Sequence, residues 1–172
     1  MPNIVTTQQV DRWASQLEED EYVYNGQLYA LNVLFTDIAS AGAQQFHMLT
    51  AAGKHTHLYA SFTAGGEAFF SASIGPTAVV LSSAIGTSGY NVTKPNTSGM
   101  TVNQVTSFGL VGTTAAQWLV PGGSGGARVG GTIDTNAKII LPPSTSVLWN
   151  VQNFGTGSIN AQIRIKYYEQ AV

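Results

Sequence analysis

The chain has 172 residues with a net charge of −2; 44% of them are hydrophobic and 9% are charged. An average soluble domain carries about 25% charged residues, so the water-facing surface here must be built from Ser, Thr, Asn, Gln and Gly, a composition suited to docking on copies of itself or on a partner. No basic stripe exists to track phosphates, which argues against nucleic-acid binding. The lack of cysteine excludes disulfides and thiolate metal sites, and no apolar run approaches the ~18 residues of a membrane span, nor does a basic start lead into a cleavable signal.

In chain order, Thr6 and Gln9 fit a capping box, and Val10, Trp13, Ala14 and Leu17 then recur on one helical face. The spacing predicts a short amphipathic helix over residues 7–18. Glu18, Glu19, Asp20 and Glu21 would sit at the negative end of its dipole and stop it. Residues 1–21 hold five acids against Arg12, while the remainder holds four acids and six bases, so the acidity is concentrated at the amino terminus. We therefore read residues 1–25 as an acidic helical arm and 26–172 as the globular domain. The arm either covers the open end of its own core or reaches a neighbouring subunit.

From residue 28 onward the signals are those of strands and turns. Runs over 28–36, 44–50, 55–62, 67–74, 77–81, 100–110, 115–120 and 137–141 are rich in aromatic, Val and Leu residues and are separated by Gly, Ser or Pro. Near the end, Val147, Trp149 and Val151 alternate with polar residues. Ile159, Ala161, Ile163, Ile165 and Tyr167 then alternate with Asn160, Gln162, Arg164, Lys166 and Tyr168, the period of a strand with one dry and one wet face. Gly155, Thr156 and Gly157 between them read as the loop of a hairpin. About ten strands without an interrupting helix predict an all-β, two-sheet sandwich of jelly-roll type with the helical arm appended. Residues 86–99 and 121–131 read as loops; the second has six glycines in eleven positions.

Few residues carry a chemical signal. His55 and His57 stand two apart on a predicted strand, which puts both imidazoles on one face about 7 Å apart. They resemble the opening of the cupin metal motif, but the Glu that should follow shortly is missing and no later His exists. His47 could complete a site only from an adjacent strand. The plainer reading makes His55, His57 and Tyr59 the polar face of a strand whose other face, Leu58, Ala60 and Phe62, is core. The Gly122-to-Gly126 run has the letters of a nucleophile elbow around Ser124, yet it lacks the flanking strand, the helix and a downstream His. The expectation is therefore no catalytic residue, no metal and no cofactor. Asn91 and Asn96 begin formal glycosylation sequons that read as incidental.

The carboxy-terminal half has a recognisable order. A glycine-rich loop carries Arg128, an apolar strand ends in Leu141-Pro142-Pro143, the run from Val151 to Gly157 follows, and an alternating strand closes on Tyr167-Tyr168-Glu169. This looks like the jelly-roll capsid decoration, or cement, proteins of tailed bacteriophages, and the strand order from Phe46 to Gly75 is similar to the same group. The resemblance spans residues 44–169 and leaves out the arm.

It implies a virion structural protein on the outer capsid surface, made in the host cytoplasm, that binds the major capsid protein and holds capsomers together, commonly as a homotrimer. Symmetric copies would combine weak contacts into firm attachment. The expected contact residues are Val10, Trp13 and Leu17 on the arm and Arg128 in the glycine-rich loop, since Trp and Arg dominate such contacts. The alternative is a head-fibre or tail module that binds receptors or carbohydrate, with Tyr22, Tyr24, Tyr90 or Trp118 as platforms for sugar rings.

Overall fold

A computed structural model describes residues 21–23, 25–89, 96–121, 131–135 and 138–172. Val10, Trp13 and Leu17 on the predicted arm helix, and Arg128 in the glycine-rich loop, lie outside these residues. The described residues form β1 (Leu28–Ile38), β2 (Ala43–Leu49), β3 (Lys54–Ala64), β4 (Ala68–Ile74), β5 (Val80–Ala84) and β6 (Ser88–Gly89), followed by β7 (Thr101–Ser107), β8 (Thr113–Val120), β9 (Gly131–Asp134), β10 (Ile139–Leu141), β11 (Ser146–Asn153) and β12 (Ile159–Ala171).

Two antiparallel sheets of six strands form a sandwich: sheet A runs β10-β3-β12-β1-β6 with β9 also on β3, and sheet B runs β5-β7-β2-β11-β4-β8. The pairs β1 with β12, β2 with β11, β3 with β9 and β10, and β4 with β8 are the rungs of one long ribbon. Rolling that ribbon so that successive rungs fall in alternate sheets gives a jelly roll, the expected architecture. Strands β5 to β7 are inserted at its tip, between β4 and β8.

The predicted strands fall close to where expected, with three corrections. Ser88 and Gly89, within the predicted loop over 86–99, form β6 and pair with Ala30 and Tyr29 of β1. Residues 131–134, at and beyond the end of the predicted loop, form β9 and pair with Ser61 to Ala64. The expected closing hairpin does not exist: β11 pairs with β2 and β4 in sheet B, whereas β12 pairs with β1 and β3 in sheet A. Gly155-Thr156-Gly157 is a crossover between sheets. Asn153 explains the turn of the chain. It is fully buried, its Nδ2 is shared among the carbonyls of Ile38, Ala39 and Gly157 at 2.7 to 3.1 Å, and its Oδ1 accepts from the Gly155 amide at 2.8 Å. These bonds fasten the end of β11 to the end of β1, in the opposite sheet.

The alternation read in β3 and β12 holds: Leu58, Ala60 and Phe62, with Ile163, Ile165 and Tyr167, point inward and are buried. Facing them from sheet B are Phe46, Met48, Phe70, Val147, Trp149 and Val151. Phe62 bridges the sheets, with its ring 4.9 Å from Phe70, 4.5 Å from Trp118 and 6.2 Å from Trp149. Trp149 in turn lies parallel to Phe46 and Trp118, each at 6.0 Å. Its register partner is Ala72, whose small side chain leaves room for the indole. Truncating this central ring removes contacts to both layers at once. Trp149→Ala should cost about 3–5 kcal/mol, read as a lowered urea midpoint with an unchanged slope.

Candidate docking surfaces

The described structure sorts its charges by sheet. The six strands of sheet B contain no Asp, Glu, Lys or Arg, whereas those of sheet A carry Asp37, Lys54, Asp134, Arg164, Lys166 and Glu169. In the outer face of sheet B, Gln45, Asn150, Ser71 and Gln117 stand in one register row, and the Gln45 amide donates to Asn150 Oδ1 at 2.9 Å. The adjacent row is Asn103, His47, Leu148 and Ser73. Amides and hydroxyls thus replace ions in the first row, while His47, Leu148 and Ser73 of the second are buried.

At one edge of sheet B, every residue of β5 is exposed and none is charged. Edge strands are usually blunted by Lys, Pro or a cover of chain; β5 has neither Lys nor Pro. Val80 and Leu81 are 52% and 45% exposed, and Leu110 and Val111 are 70% and 46% exposed. These side chains belong to one tip, since Val80 pairs with Ser107 and the Thr77 amide donates to the Leu110 carbonyl at 3.0 Å. A second apolar corner joins Phe69 and Phe154, edge to face at 5.9 Å, beside Leu119, the register partner of Phe69.

The histidines divide between the two faces. His57 lies on the outer face of sheet A with its ring stacked on Tyr168 at 4.6 Å. His47 lies on sheet B, its Nε2 2.6 Å from Ser146 Oγ. The sandwich therefore keeps His47 away from His55 and His57, and no group of three His, Cys, Asp or Glu residues gathers among the described residues. The stacking platforms expected for sugar binding are committed elsewhere: Trp118 packs on the core, and Tyr22 is stacked on Tyr168 at 3.9 Å. Tyr24, Tyr90, Ser124 and Asn91 lie outside the described residues.

Sequence reasoning passed over Glu169, whose carboxylate is the polar hub of the domain. It receives Lys54 Nζ at 3.0 Å, the Ser98 hydroxyl at 2.9 Å, and the amides of Gly99 and Met100 at 3.2 and 3.0 Å. Its side chain is 2% exposed. Tyr167 completes the cluster by donating to Ser98 Oγ at 2.8 Å, and burial pushes its phenol up to about 12. The hub fastens the entry to β7 onto the end of β12, so the insertion at the ribbon's tip is tied to sheet A. The signal was present: Glu169 continues the inward parity of Ile165 and Tyr167. No protein-family model matches the chain, and no curated protein matches it.

Two expectations follow from this electrostatic arrangement. Glu169→Ala strands two amides, a hydroxyl and an ammonium, and should cost about 3 kcal/mol while exposing residues 96–100 to limited proteolysis. His47 is 8% exposed, burial holds its pKa below the ordinary value, and no charged strand neighbour offsets that. In the unfolded chain it titrates near ~6.5, so between that pH and its lower folded pKa the unfolded state binds more protons. Its stabilising contribution is complete above ~6.5 and is lost as the pH falls toward the folded value. Urea titrations from pH 7.5 to 5 should show the decline, and His47→Gln should remove its share of it.

Proposed function

We propose that the protein is a virion structural protein of a tailed bacteriophage, a capsid decoration protein that binds the outer capsid surface and stabilises capsomer contacts. The observation that carries this reading is sheet B, whose strands carry no Asp, Glu, Lys or Arg, with its exposed β5 edge. A face without ions is docked without the several kcal/mol needed to strip water from each buried charge. Its amides and hydroxyls find new partners across an interface, and its apolar tips supply the driving force. In this reading the chain is a binding part and not a catalyst. The resemblance of residues 44–169 to jelly-roll cement proteins supports the same conclusion, with the major capsid protein as partner and a homotrimer as the assembly unit. Val10, Trp13, Leu17 and Arg128 remain the proposed arm and loop contacts.

Purified particles should carry the protein in a fixed ratio to the major capsid protein, with many copies per virion, as read by gel densitometry. Light scattering of the isolated protein should give three times the chain mass. Val80→Lys with Leu81→Lys should leave thermal unfolding nearly unchanged, because both sites are exposed, yet reduce retention on particles at least tenfold. A handful of copies per particle, or retention indifferent to charge on β5, would reject the reading.

A further inference from the structure

We infer that the apolar cavity between the edges of the two sheets binds a compact molecule of about six or seven heavy atoms with one carbonyl oxygen, which accepts a hydrogen bond from Trp149 Nε1. The inference does not depend on the capsid reading, and it uses neither the β5 edge nor the charged face of sheet A.

The cavity follows from the side chains that sheet B turns inward. Trp149, Ala72 and Ala116 stand in one register row across β11, β4 and β8. Two residues along the same face, the row is Val151, Phe70 and Trp118. Aromatic rings thus fill the space between the sheets in one row, and two alanines leave it open in the next. The void measures about 140 Å³, in an interior class where few voids exceed one water molecule.

A bulge shapes the mouth. Ala72 pairs with Ala116 and Ser73 with Thr114, so Ala115 is the extra residue on β8. Successive side chains of a regular strand point to opposite faces, whereas here Ala115 and Ala116 both line the cavity. Across from them, β10 lies at an edge of sheet A as β8 lies at an edge of sheet B. Ile74, Ala115 and Ile140 are exposed at the rim, and Leu58, Leu141, Val147 and Trp149 form a buried floor. The cavity therefore opens between the two edge strands.

The indole supplies the polar handle. Phe46 and Trp118 come from opposite sides of β11 and lie parallel to the Trp149 ring, each at 6.0 Å. With rings along both its faces, the indole meets the cavity by its edge, the plane in which its N–H donates. Trp149 is 1% exposed, and its Nε1 is buried with no hydrogen-bond partner among the described residues. A buried indole N–H usually finds an acceptor, and leaving it unpaired is costly. Every other side chain lining the cavity is aliphatic, so a water molecule would meet one polar side chain where it needs two to four partners. An apolar cavity of roughly 150 Å³ takes up benzene, which sets the ligand's size; the lone donor sets its single acceptor.

The test uses the full chain, with cyclohexanone as the probe and methylcyclohexane as its counterpart of equal size without the oxygen. The chain has three tryptophans, and Trp149→Phe identifies the Trp149 indole resonance by its loss. Cyclohexanone at about 10 mM, ten times a millimolar Kd, should shift the methyl resonances of Leu58, Ala116 and Leu141 and move the Trp149 Nε1 proton downfield. Methylcyclohexane should shift the methyl resonances and leave the indole proton in place. Ala116→Leu, which fills the space, should weaken cyclohexanone binding at least tenfold. In Trp149→Phe the affinity for cyclohexanone should fall about tenfold more than that for methylcyclohexane, the size expected for one lost hydrogen bond. If either variant fails to fold, the spectra of the unsubstituted chain decide alone. Methyl resonances indifferent to cyclohexanone, or shifted by it while the indole proton stays put, would overturn the inference. So would binding unchanged by Ala116→Leu, which would place the probe elsewhere.

Discussion

The fold rests on its last two strands. β11 occupies the middle of sheet B between β2 and β4, and β12 the middle of sheet A between β1 and β3. Before they arrive, β1 has no link to β3, nor β2 to β4. Each of the four waits for a partner far along the chain; Leu31, for example, pairs with Ile165. Loop-closure entropy must be met before such contacts repay it, which puts the domain among slowly folding all-β topologies. The same arrangement couples the layers. Trp149 on β11 and Ile163 on β12 are both fully enclosed, and neither sheet keeps its core face without the final third of the chain.

That dependence explains which parts of the structure the sequence made legible. Alternation was clearest in β3 and β12, because each is central in sheet A with one face dry and the other largely wet. The polar face of β3 and its apolar face were assignable residue by residue for the same reason. What failed was connectivity. Gly155-Thr156-Gly157 has the composition of a hairpin loop, and local chemistry cannot distinguish that from a crossover. The deciding contacts are those of Asn153 with Ile38 and Ala39, more than a hundred residues away. β9 escaped notice because four residues beginning in glycine carry little pattern of their own; their pairing with β3 makes the strand.

The charge pattern was half legible. Residues 68–127 contain Lys94 and no other Asp, Glu, Lys or Arg, a feature open to view in the sequence. Its meaning needed topology, because β4, β5, β7 and β8 join β2 and β11 in one sheet and leave the charged strands to the other. Glu169 shows the converse. A carboxylate at an inward parity marks either a misread strand or a satisfied buried ion. The four donors around its oxygens make it the second, and they hold the entry to β7, the strand on which the exposed β5 edge of sheet B pairs.

Segregated charge gives the two outer faces different physics. Contacts made through sheet B rest on apolar burial and neutral hydrogen bonds, which salt screens little. Ion pairs made to the exposed Arg164 or the half-buried Lys166 would weaken as the screening length falls below the spacing of the charges. The two outer faces therefore differ in how salt would affect anything bound to them.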